Sequence, residues 1–183
     1  IGVTHEFISV PPTLKKKIVE KTIFFIHDIG DGGCKDNKFE RDIELLKASL
    51  EGNKDNSRNI FYLANSLYDA KQYLEAIKYY QKRLVMKGWS EELWFSCYRL
   101  GQIYSSLKKS KEAIHFYLEA MTYNSYRIEN IYQIVKIYRQ EEKYNIAYAF
   151  YKMALTMISS DISKYEQSLF LFNSVYNYQL DYE

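Results

Sequence analysis

Proline and cysteine each occur only twice in the 183 residues, and glycine seven times. With so few helix breakers, little prevents long helical stretches. Cys34 and Cys97 form no C-x-x-C pair and have no nearby pair of histidines. A disulfide framework and a zinc site are thereby excluded, and two inert thiols in a reducing compartment, the cytoplasm, are expected. No uninterrupted apolar run approaches the roughly 18 residues that span a bilayer, and no signal-peptide pattern is present. The net charge of +2 is too small to imply a polyanionic partner, and Lys and Glu are interleaved as on a solvated helix face, so no nucleic-acid partner is expected. The sequence opens on Ile1 and reads as a piece of a longer protein.

Aromatic residues, by contrast, are abundant: 19 Tyr and 10 Phe. At helical spacing, such residues more often fill the cores of helix pairs than bind ligands. Three windows show this spacing: "IFYLANSLYDAKQYLEAIKYYQKRL" (60–84), "CYRLGQIYSSLKKSKEAIHFYLEAM" (97–121) and "IYQIVKIYRQEEKYNIAYAFYKMAL" (131–155). Aligned, they superpose Ala76, Ala113 and Ala147, then Tyr80, Tyr117 and Tyr151 four residues later. Leu63–Ala64, Leu100–Gly101 and Ile134–Val135 coincide on the preceding helix. The steps are 37 and 34 residues, and the pattern resembles the tetratricopeptide repeat. Small residues stand where two antiparallel helices, A and B, approach closely, and large aromatics fill the surrounding space. Ala120 and Ala154 occupy the last small position, from which Arg83 departs.

"KFERDIELLKASLEGNKDN" (38–56) reads as a further B helix. Its expected A partner would fall on Gly30, Gly32 and Gly33, and each glycine costs about 1 kcal/mol inside a helix. This first helix is expected to need another covering surface. In "KGWSEELW" (87–94), Gly88 is a natural stop and Ser90, Glu91 and Glu92 suit a helix N-terminus.

The start of the chain differs in character. "GVTHEFISV" (2–10) alternates with period two, and "KKKIVEKTIFFIH" (15–27) carries a β-branched and aromatic run, so both are expected to be strands. The segment "HDIGDGGCKDNKFERDI" (27–43) lacks the Lys-Ser or Lys-Thr of a P-loop and the ligand spacing of an EF-hand. A tight turn leading to a helix start with Lys38 and Arg41 still suits phosphate contact. The same two cations equally suit an ordinary charged helix start, with an Arg41–Glu44 pair at hand.

"VTHEFI", "HDIGDGGCKDNKFERDIELL", "RNIFYLANSLYD" and "KRLVMKGWSEELWFSCYRLG" together resemble the junction of family-2 glycosyltransferases that carry a C-terminal tetratricopeptide region. Lys87 departs from the glycine expected there. The resemblance implies a GT-A-type catalytic domain, mostly upstream, using a nucleotide-sugar donor and a divalent metal, Mn or Mg. It implies His27 as a metal ligand, against the alternative of a satisfied strand-end residue. Lys38 and Arg41 would contact the diphosphate, and His5 and Glu6 would orient the acceptor, or Glu6 would act as base. The piece alone is expected to be inactive and to hold no cofactor.

The expected fold is therefore mainly α: a tetratricopeptide-like α-solenoid of antiparallel helix pairs, preceded by a short β segment from a truncated α/β domain. Residues 1–37 would close the catalytic domain, and 38–183 would form the helical domain. Its repeats fall near 57–88, 94–125 and 128–158, with a capping helix over 163–180. In tetratricopeptide arrays, A-helix positions line a concave face. Here these are Arg58, Phe61, Asn65 and Tyr68, then Phe95, Tyr98 and Gln102, then Glu129, Tyr132, Lys136 and Arg139. The set is aromatic and polar, with Phe61 where the carboxylate clamp of chaperone-binding members needs Lys. Such a face suits the upstream catalytic domain, a protein or peptide, or a glycan acceptor. The alternative to the transferase is a non-enzymatic protein-interaction module.

Overall fold

The computed structural model describes residues 38–158, 165 and 168–182. Residues 38–158 form seven α-helices: α1 (Lys38–Gly52), α2 (Ser57–Asp69), α3 (Tyr73–Val85), α4 (Ser90–Ser106), α5 (Ser110–Ala120), α6 (Glu129–Gln140) and α7 (Tyr144–Met157). The main helix–helix contacts run between sequence neighbours, so α2/α3, α4/α5 and α6/α7 stack as successive antiparallel pairs. The α-solenoid expected from the repeat is thus present. The β segment expected before it lies outside the described residues.

The small positions are where the helices close on each other. Ala64, Ala76, Ala113, Ala120 and Ala154 are fully buried, as are the ring-bearing Tyr80 and Tyr117. At Gly101 a Cβ would sit 2.6 Å from Tyr117 Cδ1 and 2.7 Å from Cζ, with Cε1 nearer still. The α4–α5 crossing therefore depends on glycine. Arg83, the departure from the small-residue pattern, is also buried. It spans the α3–α4 boundary, where its Nε donates to Glu92 Oε2 at 3.0 Å and its Nη1 to the Lys87 carbonyl.

The turn between the helices of each pair has one form. Lys71, Lys108 and Glu142 take φ of 60°, 58° and 59°. The next residue's N–H bonds back across the helix end: Gln72 to Leu67 O, Lys109 to Tyr104 O and Lys143 to Tyr138 O, at 2.8, 2.9 and 2.9 Å. This satisfies terminal carbonyls in the manner of a Schellman cap, although none of the three positions is glycine.

Ser90 opens α4 with Glu91 and Glu92 in its first turn, as expected, and the cap position is taken by Trp89, which makes no capping bond. The helix expected over 163–180 starts later: residues 168–172 are non-helical, and a π-helical turn, Val175–Gln179, leads into a last α-turn, Leu180–Tyr182. Helix α1, expected to lack a pairing partner, packs on α2 through buried Ile43, Leu46 and Leu50, with Leu45 left exposed. One core gathers α1–α3 with Leu100 and Ile103 of α4. The other gathers α4–α7 with Val175 and Leu180 from the terminal turns. Within it, burial pushes the Cys97 thiol above its ordinary range.

Candidate functional site

Of the residues expected on the concave face, Phe61, Phe95, Tyr98, Glu129 and Tyr132 are buried, and the first three converge. Phe61 and Phe95 meet edge-on at 6.0 Å, and both are buried. Tyr98 stacks on Trp94 at 5.1 Å and is buried as well. The cover is the chain's own segment 168–172, which lies across the groove. The Phe170 ring sits 4.7 Å from Phe95, and the Phe172 ring 5.4 Å from Tyr98.

The segment's backbone is read by three buried charged side chains. Leu169 N–H donates to Glu91 Oε2 at 3.0 Å, and its carbonyl accepts from Arg127 Nη1 at 2.7 Å. The Phe170 carbonyl accepts from Arg127 Nη2, and Phe172 N–H donates to Glu129 Oε1, both at 3.4 Å. Arg127 also joins the acids to each other, bonding Glu91 at 3.0 Å and Glu129 at 2.7 Å. Its guanidinium lies 3.5 Å over the Trp94 ring. Two carboxylates thus share one guanidinium, and the excess negative charge is met by other donors. Asn124 Nδ2 bonds Glu91 at 2.6 Å and the Tyr176 hydroxyl bonds Glu129 at 2.7 Å. Glu91 and Glu129 stand in the first turns of α4 and α6, where the helix dipole favours negative charge.

Phe170 adopts φ 52°, a left-handed conformation that costs a bulky residue about 1–3 kcal/mol. The residue remains 52% exposed. Beside it opens a cleft of about 170 Å³ whose lining includes Lys38, Asp42, Asn65, Asp69 and Arg99. Arg99 lies 4.0 Å over the Tyr68 ring and 4.9 Å over that of Phe95. Its Nη1 donates to Gln102 Oε1, which also accepts from the Tyr68 hydroxyl, while its Nε is buried with no acceptor. Burial raises the Asp69 carboxyl above its ordinary range, against the lowering pull of Arg99 and Lys38.

The other sequence-selected residues scatter. Arg58 packs over Tyr62 and donates to its hydroxyl at 3.2 Å. Lys136 lies over the Tyr132 ring. Arg139 lines a separate cleft of about 420 Å³ with Tyr144, Tyr148 and Asp181. Arg41 is exposed and pairs with Asp42 at 3.6 Å, in place of the Glu44 that its spacing suggested. His5, Glu6 and His27 lie outside the described residues. Among the described residues no three His, Cys, Asp or Glu side chains converge to hold a metal. No described helix is long and apolar enough to cross a membrane.

Sequence reasoning missed Arg127, Phe170 and Phe172, and took Glu91 and Glu92 only as charges suited to a helix start. No local signal links Glu91 to Leu169, 78 positions away.

Residues 96–126 match the tetratricopeptide-repeat family model. No curated protein matches the chain in sequence. Among solved structures, a crystal structure of MamA is 20% identical, with a TM-score of 0.59, covering 78% of this chain and 81% of that one. MamA MSR-1 (21% identity, TM-score 0.54) covers 65% of this chain and 67% of its own. MamA AMB-1 (22%, 0.54) covers 64% and 68%. Together with the repeat match, these likenesses show a tetratricopeptide-like fold. They bring no support for a glycosyltransferase parent.

Proposed function

We propose that the helical array is a protein-interaction module whose concave face takes a peptide segment across α2, α4 and α6. One observation carries this reading. The groove already holds a stretch of polypeptide through its backbone, with Glu91, Arg127 and Glu129 as reading groups and Phe95 and Tyr98 as ring platforms. The tetratricopeptide match supports it, since stacked helix pairs create extended concave binding surfaces. The partner is a protein or peptide. Aromatic platforms supply contact area, while buried charges fix the direction of the bound chain.

The test is selection of binding peptides from a displayed random library, followed by affinity measurement on the chain and on Arg99→Ala. Peptides that use the groove should lose about tenfold in affinity, the equivalent of 1.4 kcal/mol. Enrichment of no peptide, or of peptides indifferent to Arg99→Ala, would remove this reading.

A further inference from the structure

We infer that segment 168–172 is a displaceable self-ligand of the concave groove. The partner that displaces it is a peptide segment with two aromatic residues separated by one position. This inference rests on the peptide-binding reading above and adds a partner signature and a competing internal occupant.

The groove recognises the segment in a transferable way. Leu169 meets Glu91 and Arg127 through its N–H and carbonyl, a pair that any residue other than proline carries, while its side chain packs on the core. The selective contacts are made by Phe170 and Phe172, which meet Phe95 and Tyr98. A peptide from outside with aromatics at the same spacing satisfies both sets.

The resident segment fills its seat incompletely. Phe170 is held at φ 52° and is half exposed, and the cleft beside it is lined by Arg99. An untethered peptide can bring an aromatic residue to the same place with ordinary backbone angles, and can offer a carbonyl to Arg99.

Charge decides which part of a peptide fits. Two carboxylates share one guanidinium on the groove floor, so the floor favours N–H donors from an internal stretch of chain. A terminal carboxylate would meet like charge. Displacement involves the turn alone, because Val175 and Leu180 beyond it are buried in the core and stay anchored. Self-occupancy lowers apparent affinity by the fraction of time the groove is open.

The test uses a fluorescein-labelled peptide, Ser-Leu-Phe-Leu-Phe-Asn-Ser-Val-Tyr, corresponding to residues 168–176. Its binding is measured by anisotropy on the parent chain and on Phe170→Ala/Phe172→Ala, with circular dichroism to show that both are folded. The expected result is affinity at least tenfold higher for the double variant. A control peptide with both phenylalanines replaced by alanine should bind neither protein. In the parent, excess peptide should speed hydrogen exchange at the Leu169 and Phe172 amides. Should the double variant unfold, Phe170→Ala alone, at a half-exposed residue, should still gain about threefold. Equal affinity for parent and variant overturns self-occupancy and leaves the peptide groove standing. Absence of binding to both folded proteins overturns the two together.

Discussion

The Tyr80 hydroxyl donates to Asn65 Oδ1 at 2.7 Å, tying the B helix of the first pair to its A helix. One repeat later the equivalent tyrosine, Tyr117, has a buried hydroxyl with no partner. Gln102, at the position matching Asn65, bonds Tyr68 and Arg99 instead. The two hydroxyls should therefore respond oppositely to removal. Tyr80→Phe leaves Asn65 short of a donor and should cost about 1–2 kcal/mol in urea unfolding, whereas Tyr117→Phe should be neutral or stabilising by up to about 1 kcal/mol. Equal losses would contradict the assigned bonding.

Gly101→Ala should destabilise the chain by about 1–3 kcal/mol, because the added methyl meets the Tyr117 ring. Helix propensity alone predicts the reverse, a gain of about 1 kcal/mol. The sign of the change in thermal midpoint separates the two effects. Gly101→Ala combined with Tyr117→Leu should recover part of the loss.

Glu92→Ala leaves the Arg83 guanidinium buried without its carboxylate, which lies 2.9 Å away in the native chain. A loss of about 3–5 kcal/mol is expected. Adding Arg83→Met should restore most of it, since both charges are then gone from a site that Ala120 and Ala154 fill without charge in the later repeats. A double-mutant cycle in denaturant measures the coupling.

Alkaline pH should unfold the chain abruptly. Burial is the main cause holding the Tyr80, Tyr98, Tyr117 and Tyr176 hydroxyls above their ordinary range, Tyr98 up to about 12. A raised phenol stays protonated in the fold while its unfolded counterpart ionises near 10, so its stabilising contribution is complete below pH 10. Between pH 10 and 12 the unfolded state binds fewer protons and stability falls as pH rises. Thermal midpoints across this window should drop, and Tyr117→Phe should make the drop shallower.

The repeat was legible because it depends on local spacing. Ala76 and Ala113, with Tyr80 and Tyr117, recur at helical intervals and are buried where two neighbouring helices cross. The same periodicity placed Phe61, Phe95 and Tyr98 on the concave side, but could not show that they would be covered. That depends on Phe170 and Phe172 returning from far along the chain. Glu91 carries the same limitation: beside Ser90 it suits a helix dipole, and its contacts with Arg127 and Leu169 exist only once three pairs have stacked. The terminal helix was placed too early because Ser168–Phe172 is apolar enough for a helix, while the groove holds it by backbone groups that a helix would use internally.

The bond between Leu169 and Glu91 spans 78 positions, roughly twice the repeat step. On the ribosome, synthesis runs at about 5–20 residues per second and domains fold from the N-terminal side. Helices α2 to α6 are therefore complete some seconds before Leu169 and Phe170 are translated. The helices of the groove are thus made before the segment that covers them. On the self-ligand inference, order of synthesis favours loading before that segment docks, while a mature copy must first surrender it.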